Sequence, residues 1–433
     1  MKRFALVALV AALLFSVVTS ASATELKVKG NLDVYGIWSS NLVDHNSDIA
    51  DGDNYMTTQR WRTYFTFQAN ENLKAILGIE INDVWGQGGG AWGTDATNTM
   101  RVKHAYLDFV FPDTAINVKA GLQGVALPSV FGHPVFDDDA AALVVSAPIS
   151  DMFGLTVGYT RGVDANDNYD LNLVGGIPAD IANKDDIDMA FLAAPITLDG
   201  FSATPYFGYA WIGQNVDVYT GTDDSTVWIL GANAALTMFD PLTFAADLIY
   251  GVGKNDDYET KGWYAALAGS YKMDMLTATL FTTYATGLDE ENGEDNLLPT
   301  LAEGWALTPY LGGARAFATG LSDGFASNSL GVGNDGTGLW TIGVSLDDIT
   351  FVDNLTHKLV IAYAKGTGDD GTSAFTEEDS GWEVYFVNKY MIYENLAAIN
   401  ELGYFKGSSE VLENANYDLD ASYFATIGFQ YKF

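Results

Sequence analysis

Tyr423-Phe424-Ala425-Thr426-Ile427-Gly428-Phe429-Gln430-Tyr431-Lys432-Phe433 closes the chain in a strict two-residue rhythm. Tyr423, Ala425, Ile427, Phe429, Tyr431 and Phe433 fall on one side, and Thr426, Gly428, Gln430 and Lys432 on the other. Period two is the signature of a strand with one apolar and one polar face. An uncharged, aromatic edge on a soluble sheet would invite pairing with other chains. Against lipid it is the expected surface, with rings gathering where hydrocarbon meets water.

The other end agrees. Met1-Lys2-Arg3 is a basic lead-in, Phe4 to Val18 an apolar core, and Ala21-Ser22-Ala23 a small-residue cleavage signature. The apolar run is short for a spanning helix, which needs about 20 residues. Residues 1–23 therefore read as an export signal, and 24–433 as one mature domain. No later segment has the uninterrupted apolar length of a membrane helix, so the mature chain is soluble or a barrel.

Composition separates those two. Cysteine is absent, which removes disulfides, thiolate metal sites and cysteine nucleophiles. The 45 glycines, 10 prolines and 13% aromatic content suit many turns and strands. Losing Lys2 and Arg3 with the leader leaves 19 basic residues against 56 acidic, a formal charge of −37. That charge excludes nucleic acid as a partner, and 48% hydrophobic residues exclude a disordered acidic chain. The acids cluster at Asp48/Asp51/Asp53, Asp164/Asp167/Asp170, Asp289 to Asp295 and Asp369 to Asp379. Between the clusters lie alternating stretches with few charges.

Those stretches read as hairpins. Arg60 to Ala69 puts Trp61, Thr63, Phe65 and Phe67 outward and Arg60, Arg62, Tyr64, Thr66 and Gln68 inward. Asn70 to Asn72 and Pro112 to Thr114 are short turns, and the set recurs at Pro148, Thr197, Met238, Asp274, Ile349 and Tyr393. Long polar connections alternate with them. The pattern predicts an all-β fold: a transmembrane antiparallel β-barrel of roughly 16–18 strands, with short periplasmic turns and long extracellular loops. Eighteen is the direct count, and sixteen stays open because Ala140–Val145 and Leu396–Phe405 alternate weakly. Pro205, inside a clear strand, predicts a bulge. Phe65/Phe67, Phe109/Phe111 and Phe429/Tyr431/Phe433 are expected at one membrane surface, and Trp38, Tyr209/Trp211 and Tyr284 at the other.

Several apparent motifs carry no chemistry. Gly366-Thr-Gly368-Asp-Asp-Gly371 has dinucleotide spacing, but its aspartates would repel a pyrophosphate and no helix pattern follows. Ser322 lacks the strand–turn–helix frame of a nucleophile elbow. His45, His104, His133 and His357 have no helical pair spacing for zinc. Asp164 to Asn168 opens like a calcium loop, yet Tyr169 and Gly175 stand where glycine and a bidentate glutamate belong. No catalytic set, resident metal or cofactor is expected; loose calcium binding by the acidic loops is the one metal reading left open.

The polar face of the first strands does carry a pattern. Arg60, Arg62, Arg101 and Lys119 come from neighbouring strands, and a water-filled lumen would hydrate them where a dry core would not. After the fifth strand, Val125 to Asp139 is the least polar long loop, with Pro128, Pro134 and a closing Asp137-Asp138-Asp139. An apolar loop belongs against a barrel wall, not in open solvent, and this one is expected to fold inward as a constriction. Salt-bridging of the cations to Glu80 and Asp108 is the plainer alternative.

The leader, the inward basic strands, Lys119-Ala-Gly-Leu-Gln123, the loop after strand five and the final Gly428-Phe-Gln-Tyr-Lys-Phe433 together resemble the homotrimeric porins of bacterial outer membranes, most of all those of sulfate-reducing bacteria. The resemblance implies sixteen strands, a homotrimer in outer-membrane lipid, and an infolded third loop facing a row of cations. Carried over, Asp137, Asp138 and Asp139 form the acidic side of the constriction and Arg60, Arg62 and Lys119 the basic side. The function implied is passive diffusion of small hydrophilic solutes and ions through a charged, wetted neck. A substrate-specific, sugar-type channel is the alternative, and inward Tyr35, Tyr64, Tyr106 and Tyr206 would serve it. A bacterial assembly machinery that reads a terminal aromatic makes Phe433 decisive: Phe433→Asp should be exported yet fail to insert. A heat-modifiable barrel of this variant in the outer-membrane fraction would overturn that expectation.

Overall fold

The computed structural model describes residues 24–42, 53–86, 99–164, 186–213, 224–256, 258–289, 295–317, 330–332, 338–369, 375–409 and 419–433. The leader, His45, Asp48, Asp51, Asp167, Asp170, Ser322 and Asp370 lie outside the described residues. Nineteen strand segments run in chain order. They are β1 (Glu25–Ser40), β2 (Asp53–Asn70), β3 (Leu73–Val84), β4 (Thr99–Val110), β5 (Asn117–Ala126), β6 (Asp137–Pro148) and β7 (Gly154–Val163). Then come β8 (Ile187–Ala193), β9 (Ile196–Leu198), β10 (Phe201–Ile212), β11 (Ser225–Phe239), β12 (Leu242–Lys254), β13 (Glu259–Lys272) and β14 (Thr277–Ala285). The last five are β15 (Leu339–Val352), β16 (Leu355–Gly366), β17 (Ser380–Tyr393), β18 (Leu396–Gly407) and β19 (Ser422–Lys432).

Each strand pairs antiparallel with its sequence neighbours, and β1 pairs with both β2 and β19, so the sheet has no free edge. Gly30 and Phe433 exchange both backbone bonds, at 2.9 and 3.1 Å, which carries the seam to the last residue. Segments β8 and β9 both pair with β10 and are two halves of one strand. The barrel therefore has eighteen strands, not the sixteen that the porin resemblance implies. The two weakly alternating stretches are full wall strands, β6 and β18.

The expected bulge at Pro205 is absent. Tyr206 pairs with Ala193 and Ala203 with Ile196, leaving two residues on each side of the gap. Pro205 stands opposite Ala194, whose N–H bonds its carbonyl at 2.9 Å, and Pro195 stands opposite Thr204; neither proline has an N–H to give. The ladder is interrupted without a change of register. Bulges sit elsewhere; the one in β4 is at Lys103, the extra residue between the Gly78–His104 and Ile79–Val102 pairs.

Outward positions form the apolar band. Ile427, Leu280, Leu248, Leu230 and Trp61 point away from the barrel and are exposed there, an area no water-soluble monomer displays. Ring pairs mark both margins: Trp38–Tyr55, Tyr209–Trp211 and Trp263–Tyr284, each 4.7 Å apart, near the long loops, and Phe109–Phe111 and Tyr431–Phe433 near the short turns. The inward face is divided. Toward β1–β5 it is polar; over β10–β14 it carries Ile229, Ile249, Tyr264, Ala266 and Phe281, all buried. Something inside the barrel covers them.

Candidate functional site

Two connections fold into the lumen and provide that cover. The first joins β5 to β6. Its neck is closed by the Leu127 N–H bonding to the Phe136 carbonyl at 3.2 Å, and Leu127, His133 and Val135 are buried. Asp137, Asp138 and Asp139 do not end this loop; they open β6, paired with Ala126, Val125 and Gly124. The infolded part is 127–136.

His133 organises the loop. Its Nδ1 accepts the N–H groups of Val135 (3.1 Å) and Phe136 (3.0 Å). Nδ1 therefore carries no proton, and Nε2–H donates to the Tyr206 hydroxyl at 2.8 Å. Burial pushes the imidazole from its ordinary 6.5 down to about 3, so it stays neutral. Across the lumen, Asp247 of β12 accepts the Val130 N–H at 2.7 Å and lies 2.8 Å from Ser129 Oγ, while Asn233 holds its other oxygen at 2.7 Å.

The second belongs to the longer connection between β14 and β15, residues 286–338, of which 286–289, 295–317, 330–332 and 338 are described. It pairs with the first loop: Leu301 and Ala302 donate to the Val135 carbonyl (2.9 Å each), Gly304 to His133 (3.0 Å) and Ala306 to Phe131 (2.8 Å). Gly132 has φ +79°, and a Cβ there would sit 1.9 Å from the Gly304 oxygen, so only glycine permits this contact. Further on, Glu383 of β17 accepts from the Thr308 hydroxyl and from the Tyr310 N–H (3.3 Å). Arg315 pairs with Glu401 of β18 at 2.9 Å, with both side chains 0% exposed. Glu401 also takes the Tyr385 hydroxyl (2.6 Å), the Ala316 N–H (2.8 Å) and the Thr426 hydroxyl (2.9 Å). The guanidinium stands 5.4 Å from the Tyr35 ring and 5.3 Å from Phe424, and Phe317 stacks on Tyr35 at 4.4 Å. A buried charge pair is tolerated when the carboxylate's remaining valences are satisfied, and both Glu401 oxygens are bonded.

Opposite lies the open polar wall. Arg62 bonds Glu80, which Asn82 also holds at 2.9 Å. Arg60, buried, stands opposite Asp33 and Asn82 in the ladder. Lys119 is opposite Asp108, which pairs with Lys74 at 3.1 Å. The aspartates are elsewhere. Asp139 binds Lys103 and, at 3.0 Å, His104; Asp137 lies against Gly304. Lys119 is five places along β5 from Gly124, the partner of Asp139, about 17 Å of strand. The structure brings Arg60 and Arg62 together but does not face either, or Lys119, with the three aspartates. Of the inward tyrosines, Tyr35 and Tyr206 are covered by the insertions; Tyr64 and Tyr106 stand beside His104 on the open wall.

Sequence reasoning passed over the larger insertion and its anchors. Leu297-Leu-Pro-Thr-Leu-Ala-Glu-Gly-Trp-Ala-Leu-Thr-Pro-Tyr-Leu311 is as apolar as the loop that was singled out, and Glu383 and Glu401 were legible as inward acids among apolar neighbours. Among the described residues, no group of three His, Cys, Asp or Glu is placed to hold a metal ion.

No family model and no curated protein matches the sequence. Solved structures do. OccAB4 of Acinetobacter baumannii superposes with a TM-score of 0.57 at 11% identity, over 96% of this chain and 100% of that one. OccAB3 of the same organism gives 0.55 at 11%, over 94% and 99%. The outer membrane protein OprD from Pseudomonas aeruginosa gives 0.50 at 12%, over 94% and 93%. At such identities the likeness carries the fold alone.

Breaking one half of a buried ion pair costs about 3–5 kcal/mol, a cost the insertion escapes by leaving the wall. Arg315→Ala and Glu401→Ala should therefore raise and destabilise single-channel conductance in planar bilayers while the barrel keeps its heat-modifiable migration. Unchanged current traces would show that the insertion does not obstruct the lumen. His133 adds a pH dependence. Its folded pKa is depressed, so its share of loop docking is complete above pH 6.5 and is lost as pH falls toward 3, at about 1.4 kcal/mol per pH unit. Channel noise should grow from pH 6.5 to 5 in the native protein and not in His133→Asn.

Proposed function

We propose that this chain is a channel of the bacterial outer membrane that admits small hydrophilic solutes selectively, in preference to the general diffusion pore that its porin-like ends suggest. The observation that carries this is the lumen. An eighteen-stranded barrel could hold an open aqueous bore, yet two insertions pack its β10–β19 side and bind each other. Passage is left to the polar wall of β1–β5. Selection then comes from fixed charges and hydrogen-bonding groups along that path, not from width alone. The outward apolar band supports residence in lipid, and one of the structural neighbours is itself described as an outer membrane protein.

Within this reading Asp137, Asp138 and Asp139 stand toward the outer mouth, Arg60 and Arg62 lie on the same polar side, and Lys119 is nearer the short-turn end of the path. Self-association as a trimer is part of the same proposal and rests on the porin resemblance; cross-linking in detergent reads it directly.

The test is permeation. The purified protein should conduct in planar bilayers. In liposome swelling its solute rates should depart from molecular-mass order, with some small sugars slower than larger charged solutes. A strict fall of rate with mass would return the protein to general diffusion, and absence of any conductance would end the channel reading.

A further inference from the structure

At mid-height the outward rows of the wall present Leu230, Leu248, Leu280 and Ile427, all exposed. Over β16, β17 and β18 the same face is interrupted by polar side chains. His357 shares its outward row with the exposed Ile361, Asn388 with Trp382, Val384 and Tyr390, and Asn400 with Leu402 and Tyr404. The three stand side by side in the ladder, His357 opposite Asn388 and Asn388 opposite Asn400. Asn400 is in turn opposite Ile427, midway along its row between Tyr423 and Tyr431. The strip therefore runs from the short-turn side at His357 into the middle of the apolar band at Asn400.

Hydrogen bonds follow it in one direction. His357 Nδ1–H donates to Asn388 Oδ1 at 2.6 Å, Asn388 Nδ2 to Asn400 Oδ1 at 3.1 Å, and Asn400 Nδ2 to the Thr426 carbonyl at 2.6 Å. Each amide nitrogen carries two hydrogens, and the strip uses one of each. The second N–H of Asn388 and of Asn400 has no partner among the described residues. Thr282 makes the contrast: it also faces outward, but its single hydroxyl hydrogen goes to the Thr341 carbonyl at 2.7 Å.

Hydrocarbon offers nothing to such donors, and leaving them unmet at that depth costs stability. Lipid headgroups lie beyond the aromatic margins. The group that meets these donors must belong to another protein embedded to the same depth, and a second copy of this chain qualifies by construction. A rotation axis along the membrane normal keeps every residue at its own height in each copy, and residues beside the axis face their counterparts. An amide is donor and acceptor at once, so facing asparagines pair with each other, as a lone seam asparagine does in a coiled coil.

We propose that copies of this chain associate through the outward face of β16–β18, with Asn388 and Asn400 as the polar centre of the contact. This rests on the outer-membrane channel reading and gives the self-association put forward there a place on the wall.

The chain has no cysteine, so a single introduced thiol reports alone. In isolated outer membranes, Tyr404→Cys on β18 should be joined into dimers by a flexible bismaleimide. Trp211→Cys, outward on the far side of the barrel at β10, should not. Asn388→Leu combined with Asn400→Leu should keep a heat-modifiable barrel, because leucine suits lipid. It should nevertheless weaken association between copies about tenfold in sedimentation equilibrium in detergent, as the loss of membrane-embedded amide bonds implies. Cross-linking at Trp211→Cys as readily as at Tyr404→Cys, capture of a different protein by Tyr404→Cys, or a double leucine variant that associates like the native protein would overturn the proposal. Should the double variant fail to fold, the two thiols decide alone. A protein that conducts but shows no self-association in membranes or detergent would end this surface and leave the channel reading standing; association through β18 in a protein that never conducts would do the reverse.

Discussion

Inside a hydrocarbon layer a peptide group has only other peptide groups to bond with. Every feature of this chain follows from how that demand is met. Eighteen strands close on themselves, and the seam between β1 and β19 is bonded as fully as any other pair. Closure frees the side chains from holding the fold together. The outer face is then set by lipid, while the inner face is free to be wet, charged or packed, strand by strand. The interruption at Pro195 and Pro205 shows the tolerance of such a wall: two N–H groups are missing at diagonal positions of neighbouring strands, and the register continues on both sides.

That division explains how much of the fold was legible. A lipid-facing row of Tyr423, Ile427, Phe429 and Tyr431 against an inward row of Thr426, Gly428 and Gln430 can be read from residue order alone, since the solvent on each side differs. Short turns are legible for the same reason: Asp113 and Asn354 take positive φ, a conformation those residue types accept. The stretches that alternated poorly did so for a physical cause. In β6, Ala140 and Ala142 face inward yet are buried, so both faces of the strand are apolar. In β18, Ala397, Ile399 and Phe405 face inward and are buried while Leu402 and Tyr404 face outward, and period two fades where the lumen is dry.

The site was legible in its materials more than in its arrangement. A loop of low polarity next to a strand end signals infolding, and the loop after β5 does fold inward. Its partner inside the barrel comes from residues 286–338, more than 150 positions away in the chain. No local pattern could join Val135 to Ala302 or His133 to Gly304. Charge pairing was hidden for a related reason. Arg62 with Glu80 follows from neighbouring strands, but Asp139 reaches Lys103 and His104 only because a bulge shifts β4 by one residue and Gly124 has no side chain in the way. One extra residue decides which cation meets which acid.

The insertions pack against the inner wall of the barrel, and the energetics of their anchors say how firmly. Apolar contacts such as Phe317 on Tyr35 weaken gradually when a loop shifts. Arg315 and Glu401 do not. Fully desolvated, they are stable only while they hold each other, so intermediate positions of the insertion, with a charge half-withdrawn from its partner, are disfavoured. The same holds for Glu383 under Thr308 and Tyr310. A segment fixed by two such anchors has few stable positions, and its natural response to strain is to stay or to leave. The wall of β17–β19 therefore holds the obstruction in place, while the wall of β1–β5 carries ion pairs such as Arg62–Glu80 and Lys74–Asp108 that keep part of their exposure.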